Sequence, residues 1–275
     1  MSKAFGGFTG PELIASLYGA YLGREPDLGA MDKIERLERG EASTAQIIME
    51  IVGSDEYAGR SSQKPLLNDQ TQYGELELLL KRWTSLANPN PLVVDVGARG
   101  KERSNSWDLL NTFGWSGVLI EANPALIPSI QQDFSGLDIR LVQCAVSDYD
   151  GEAEFHIGTN DDVSSLDKAA SASWGPTLGT VSVRVRRLGD ILRELQVPTE
   201  FSLLSLDIEG HDIRVLNDVV ARDGYRPSWV IIEASYDFAT RALTDLPVDP
   251  VVGQHYELIA QTPSNLILER RVTSL

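Results

Sequence analysis

The block with the clearest chemical potential is Val93-Val94-Asp95-Val96-Gly97-Ala98-Arg99-Gly100, an apolar run that ends in glycines. Glycine permits the sharp turn and close backbone approach that a ligand needs at the carboxyl end of a strand. A dinucleotide fingerprint would read G-x-G-x-x-G, and from Gly97 onward the sequence meets only its first position. The turn therefore predicts a nucleoside bound without a pyrophosphate. Glu121 follows Gly97 by 24 residues and closes the next apolar run. A carboxylate there can accept both hydroxyl protons of a ribose.

A second block, Asp207-Ile208-Glu209-Gly210-His211-Asp212, also closes an apolar run. It falls beside the position where an open α/β sheet binds its ligand. Asp207, Glu209, Asp212 and Glu233 are hard oxygen donors, so a divalent metal is one use of this cluster. The plainer use is acids at the start of a helix, where the dipole favours negative charge. Cys144 sits at the end of an apolar run with no base nearby in sequence and reads as a small core residue. His156, between Phe155 and Ile157, is expected to face solvent.

The elements that must carry these residues alternate. Apolar runs at Leu92–Val96, Gly117–Glu121, Arg140–Cys144, Leu203–Asp207, Trp229–Glu233, Tyr256–Ala260 and Leu266–Arg270 predict seven strands interleaved with helical patterns. Several are apolar at every position, which predicts a sheet covered by helices on both faces. Ala153–Ile157 and Val181–Val185 alternate apolar with polar and flank a 20-residue stretch from Gly158 to Thr177, which predicts an inserted hairpin with a long loop.

Upstream, Leu13, Ile14, Leu17, Tyr18, Tyr21 and Leu22 recur at helical spacing, and Met31, Ile34 and Leu37 mark a second helix. Thr9 with Glu12, and Ser43 with Gln46, have the capping-box spacing, so helices should begin near residues 10 and 44. A polar stretch follows, and then Leu76, Leu79, Leu80, Trp83 and Leu86 predict another amphipathic helix. The expected division is a small helical domain at 1–60, a linker at 61–73 and an α/β domain at 74–275.

The 40 acidic against 24 basic residues leave a net charge of −16 in 275 residues, which disfavours nucleic acid as a partner. A single cysteine excludes an internal disulfide. No apolar run approaches the roughly 20 residues of a membrane helix. The N-terminus lacks the apolar core of a secretory signal, so the expected location is the cytoplasm of a bacterium.

Taken in order, Val-Val-Asp-Val-Gly-Ala-Arg-Gly at 93–100, Ile-Glu-Ala-Asn-Pro at 120–124, Cys-Ala-Val-Ser-Asp at 144–148 with Gly151, Ser164-Ser165-Leu166, and Leu-Asp-Ile-Glu-Gly-His-Asp at 206–212 resemble the FkbM-type S-adenosylmethionine-dependent methyltransferases. The resemblance covers about residues 75–271. It implies a Rossmann-like seven-stranded sheet of order 3-2-1-4-5-7-6 and methylation of hydroxyls, often on sugars of glycans, glycolipids or glycosylated products. It also implies roles. Glu121 would take the ribose hydroxyls, Gly97 and Ala98 the close backbone approach, and Asp95 the amino-acid end or the ordering of the loop. Asp148, or the backbone of Ala145 and Val146, would meet the adenine. Asp207, Glu209 and His211 form the expected chemical centre, with His211 or Glu209 as general base for the acceptor hydroxyl. From its own position, Trp174 in the long loop can stack on a sugar ring or pin the loop to the core, and Glu233 can bind the acceptor or cap its strand.

Residues 17–27, 37–40 and 53–57 resemble a short helical bacterial domain of unknown function that accompanies polysaccharide-related enzymes, which implies docking or self-association. Two other readings remain at this stage. One is a non-catalytic nucleoside-binding module that docks a polysaccharide-synthesis complex. The other is a nucleotide-cofactor oxidoreductase, which the missing glycines disfavour.

Overall fold

A computed structural model of the chain describes residues 9–52, 54, 56–57, 69–82, 90–159, 163–172, 175–233, 243 and 246–271. Helix α1 (Gly10–Leu17) starts on a complete capping box, with Thr9 and Glu12 satisfying each other's backbone N–H groups, and runs into a π-turn at Tyr18–Leu22. After α2 (Met31–Glu38), α3 (Thr44–Val52) starts where Gln46 Oε1 accepts from Ser43 N at 2.7 Å and Ser43 Oγ accepts from Gln46 N at 3.2 Å. Both capping signals therefore mark real helix starts. The predicted helix after the linker is α4 (Glu75–Arg82), and Trp83 and Leu86 lie outside the described residues, as does most of the expected linker.

The main sheet contains β1 (Leu92–Val96), β2 (Ser116–Glu121), β3 (Ile139–Gln143), β7 (Leu203–Leu206), β8 (Trp229–Glu233), β9 (Tyr256–Gln261) and β10 (Asn265–Arg270). Its order is β3-β2-β1-β7-β8-β10-β9, with β10 antiparallel to both neighbours. Counting the strands of this sheet alone, the order reads 3-2-1-4-5-7-6. Intervening helices are α5 (Trp107–Asn111), α6 (Ile127–Asp133), α8 (Leu188–Glu194), α9 (Asp212–Asn217) and α10 (Pro250–His255).

The inserted hairpin is larger than expected. The strands β5 (Gly151–Ile157) and β6 (Gly179–Arg187) pair antiparallel, and β4 (Ala145–Ser147) joins β6 in parallel to make a separate three-stranded sheet. The chain leaves the main sheet at Cys144, so the expected third strand ends one residue early. The stretch between β5 and β6 is not structureless in its described part. Ser165 bridges back to His156, and α7 (Lys168–Ser171) is capped by Asp167. His156 is half-buried rather than solvent-facing, and its Nδ1 is enclosed without a hydrogen-bond partner among the described residues.

Strand alternation explains the fully apolar runs. Val93, Leu119, Trp229, Ile231 and Ile267 point to one face, where they share one buried cluster with Leu13, Ile14, Leu17, Tyr21, Ile47 and Ile51 from the N-terminal helices. Val94, Val96, Ile120, Leu204 and Leu206 point to the other face and pack on α8, α9 and α10. The N-terminal helices thus help to cover one face of the sheet. Among the described residues, no helix is long and apolar enough to cross a membrane.

Candidate active site

The turn after β1 is pressed between its two neighbours. Gly97 N and Ala98 N donate to Ile120 O on β2 at 2.9 and 3.1 Å, and Asp207 N, just past β7, donates to Val96 O at 3.0 Å. Gly97 has φ +86°, and a Cβ built on it would overlap the Asp207 carbonyl. Only glycine fits this crossing. The turn opens into a cavity of about 880 Å³ at the carboxyl end of the sheet, lined by Gly97, Glu121, Ala145, Val146, Asp207 and Glu233 among others.

Asp95 forms part of the cavity wall but is 5% exposed and belongs to a hydroxyl network. Ser106 Oγ donates to its Oδ2 at 2.5 Å, and the Ser205 hydroxyl is its second donor. Burial raises the Asp95 pKa, and the two hydroxyls oppose that rise. Asn105 Nδ2 donates to Ser205 Oγ at 3.1 Å. Because Ser205 gives its proton to a carboxylate, the Asn105 amide is oriented with its nitrogen toward Ser205. Asn105 Oδ1 has no partner among the described residues.

Glu121 ends β2 and is 6% exposed, and its Oε1 accepts from Asn123 N at 2.6 Å. Burial pushes its pKa up to about 7, with hydrogen bonds from the Asn123 and Ala122 backbone acting against it. Beside it the chain crosses from β3 to β4, held by Cys144 N donating to Glu121 O at 3.1 Å. The Cys144 thiol is buried, with its pKa raised to about 11 by desolvation, which suits a core residue and not a nucleophile.

On the other side of the cavity, one carboxylate oxygen from each of Asp207, Glu209 and Glu233 lies within 4.8 Å of the others. Three carboxylates this close can share a proton or a cation. Burial, and then Glu209, push the Glu233 pKa up to about 8. Asp212 lines the cavity as well, but its two oxygens are taken up by Ile208 N and Gly210 N at 3.1 and 3.2 Å, so it braces the turn instead of joining the cluster.

Two expected site residues stand away from the cavity lining. His211 precedes α9 with Nδ1 3.0 Å from Ser147 Oγ, and Ser147 Oγ donates to Asp148 Oδ1 at 3.2 Å. That polarity makes Nδ1 the donor and leaves Nε2 as the basic nitrogen. Burial and Arg214 lower the His211 pKa. Asp148 pairs with Arg214 at 3.7 Å. Trp174 lies outside the described residues. The structure brings Asp95, Gly97, Ala98, Glu121, Ala145, Val146, Asp207, Glu209 and Glu233 to one cavity.

Sequence reasoning missed Asn105, Ser106 and Ser205. Ser205 was visible as a lone hydroxyl in an apolar strand, and Ser104-Asn105-Ser106 as a polar triplet before a helix. Gln72, in the expected linker, and Ser264, in the β9–β10 turn, also line the cavity, and nothing in their local sequence signals it.

With this geometry in view, comparison with known proteins is decisive at one point. The sequence matches the Methyltransferase FkbM domain over residues 95–258, more than half of the chain. The chain belongs to this family. The matched range of the FkbM domain starts at Asp95 and leaves the N-terminal helices outside. No curated protein sequence matches significantly. Among solved structures, a Methyltransferase FkbM from Methylobacillus flagellatus KT is similar at 15% identity and a TM-score of 0.42, covering 88% of this chain and 61% of that one. The chain thus spans about three-fifths of that protein. A hypothetical protein of Thermus thermophilus shows 14% identity and a TM-score of 0.39 over 72% of this chain and 83% of its own. MtNAS in complex with MTA and tNA shows 11% identity and a TM-score of 0.36 over 94% and 96%. These likenesses are loose and carry no weight for the chemistry of the FkbM domain described here.

Proposed function

We propose that this FkbM-domain chain is an S-adenosylmethionine-dependent O-methyltransferase that acts on a sugar hydroxyl of a bacterial glycan, glycolipid or glycosylated product. The observation that carries the reading is Glu121, a buried carboxylate at the end of β2 that commits one oxygen to Asn123 N and closes a cavity entered over a glycine-only turn. A ribose diol satisfies such a group, and no glycine-rich phosphate cradle stands beside it.

The residues present fit the cofactor along its length. Ala145 and Val146 offer an apolar wall for the adenine on the β3 side of Glu121. The opposite end would lie over β1 and β7, where Asn105 Oδ1 is an oriented acceptor without a partner among the described residues and suits an ammonium. Arg99 and Arg103 line the same cavity and supply positive charge for a carboxylate. When bound, the cofactor supplies a methyl group on a sulfonium.

The protein's own task is then to place a hydroxyl and take its proton. Asp207, Glu209 and Glu233 supply acceptors for the several hydroxyls of a sugar. The proton goes to this cluster, in which Glu209 and Glu233, whose pKa is raised to about 8, stand beside Asp207.

Calorimetric titration of the full chain with S-adenosylhomocysteine, NAD and NADP, followed by transfer of labelled methyl from S-adenosylmethionine to a panel of alkyl glycosides, tests the reading. S-adenosylhomocysteine binding that is lost in Glu121→Ala supports it. Preferential binding of NAD or NADP would replace it with an oxidoreductase, and binding of none of the three with a docking module.

A further inference from the structure

The turn that carries the acidic cluster is held in an unusual shape from two directions. Glu209 has φ +51°, a left-handed conformation that costs a non-glycine residue energy, and Gly210 follows at φ +102°. From its own side the turn is braced by Asp212, which accepts from Ile208 N and Gly210 N. From the other side Ser165 Oγ donates to Glu209 O at 2.8 Å. Ser165 is 1% exposed and is itself fixed to the inserted sheet, since its N–H and C=O both bond to His156 on β5, at 3.0 and 2.8 Å. Its hydroxyl oxygen also accepts from Asp167 N at 2.9 Å.

From this geometry we propose that Ser165 is a positioning residue for methyl transfer, through which the inserted three-stranded sheet and Asp212 together clamp the 207–210 turn and keep the Glu209 carboxylate in the cavity beside Asp207 and Glu233. The proposal rests on the reading of the cavity as a methyltransferase site. It assigns a use to the Ser164-Ser165-Leu166 segment, whose outer two residues line the cavity while Ser165 reaches a carbonyl 44 residues further along the chain. The clamp acts on the backbone of Glu209, away from Glu121, so it should lower turnover more than cofactor affinity.

Two measurements on the full chain separate failure of the clamp from failure of the methyltransferase reading. The first needs no ligand. Hydrogen exchange at the Ile208 and Gly210 amides is expected to speed up about tenfold or more in Ser165→Ala while β1 and β7 amides stay protected, and to return in Ser165→Thr, which keeps the hydroxyl. Unchanged exchange at both amides overturns the clamp whether or not the protein binds any cofactor. The second is kinetic, with labelled S-adenosylmethionine and the alkyl glycoside that accepts methyl. Ser165→Ala is expected to lower kcat about tenfold to a hundredfold, with S-adenosylhomocysteine affinity kept within about twofold and kcat recovered in Ser165→Thr. Parallel loss of kcat and cofactor affinity would overturn the proposal by assigning Ser165 to the cofactor pocket or to the fold at large.

Discussion

Gly97 and Asp207 touch backbone to backbone across the mouth of the sheet: a Cβ on Gly97 would overlap the Asp207 carbonyl oxygen, and Asp207 N in turn donates to Val96 O at 3.0 Å. The turn after β1 and the acidic turn are therefore in direct backbone contact. Gly97→Ala carries the cost both of φ +86° and of a clash with backbone that cannot rotate away. Urea unfolding should show a loss of about 3–5 kcal/mol. Gly136→Ala is the matched control, with φ +82° and nothing within 4 Å of the added carbon, and should lose only about 1–2 kcal/mol. Equal losses in the two variants would mean that the contact with Asp207 contributes nothing.

Glu121 gives a pH dependence with opposite signs for stability and for binding. Its pKa rises from 4.5 to about 7 on folding, mainly through burial. Its contribution to stability is fully present below pH 4.5 and is lost as pH rises through 7, an amount of about 3 kcal/mol at 1.36 kcal/mol per unit. A ribose diol donates to the charged form, so S-adenosylhomocysteine affinity should fall about tenfold per pH unit below 7. Glu121→Gln should be more stable than the wild-type protein at pH 8, equal to it near pH 4.5, and bind weakly without this pH dependence. Calorimetry between pH 5.5 and 8 checks this, and a flat wild-type profile would remove Glu121 from the ribose.

The N-terminal helices and the sheet share one buried cluster, which predicts a single unfolding event. Tyr21 lies 6.1 Å from the Phe113 ring, and Ser16 Oγ donates to Thr112 O at 3.1 Å. Leu17→Ala, at a fully buried position, should cost about 2–5 kcal/mol and shift one cooperative transition. Deletion of residues 1–60 should uncover the apolar face around Val93, Leu119 and Ile267, giving a protein that binds a hydrophobic dye or aggregates. Two separate transitions in the intact chain, with tryptophan emission following only the second, would show instead that the helices fold independently.

What could be read from the sequence was what depends on near neighbours. Thr9 and Ser43 announce their helices because each capping partner is three residues away. The seven-stranded sheet was legible because strands buried on both faces leave continuous apolar runs. The Gly97 turn and Glu121 were legible as a pair because each closes an apolar run, and those two runs are neighbouring strands whose ends meet at one cavity. The surroundings of His211 were hidden for the opposite reason. Its place beside Glu209 in sequence says nothing of the turn at Gly210, after which the ring meets Ser147 of the small sheet and not the cavity. The departure of β4 was equally hidden, since Ala145-Val146-Ser147 is as apolar as the strand it leaves and only its pairing with β6 reveals the switch.

Glu75 is the furthest-reaching case of such a hidden partner. It is wholly buried at the start of α4, where Tyr73 N donates to Oε2 at 2.9 Å and the side chains of Thr262 and Asn265 donate to Oε1 at 2.9 and 2.7 Å. Those two partners lie 187 and 190 residues away, Thr262 in the turn between β9 and β10 and Asn265 at the start of β10. Ser264, in that same turn, donates to Tyr73 Oη at 3.2 Å and lines the cavity, as does Gln72. The carboxylate therefore ties the wall formed by Gln72 and Ser264 to the sheet. Glu75→Ala strands buried donors on both segments and should cost about 2–4 kcal/mol. Glu75→Gln should recover only part of this, because all three partners donate and an amide offers one acceptor atom. Ser264 lies past β8, away from Glu121, while Thr71 beside Gln72 bridges Arg103, so the acceptor KM should rise more than S-adenosylhomocysteine affinity falls. Urea unfolding and steady-state kinetics on the two variants check both statements, and a loss of cofactor affinity equal to the rise in KM would place the wall on the cofactor instead.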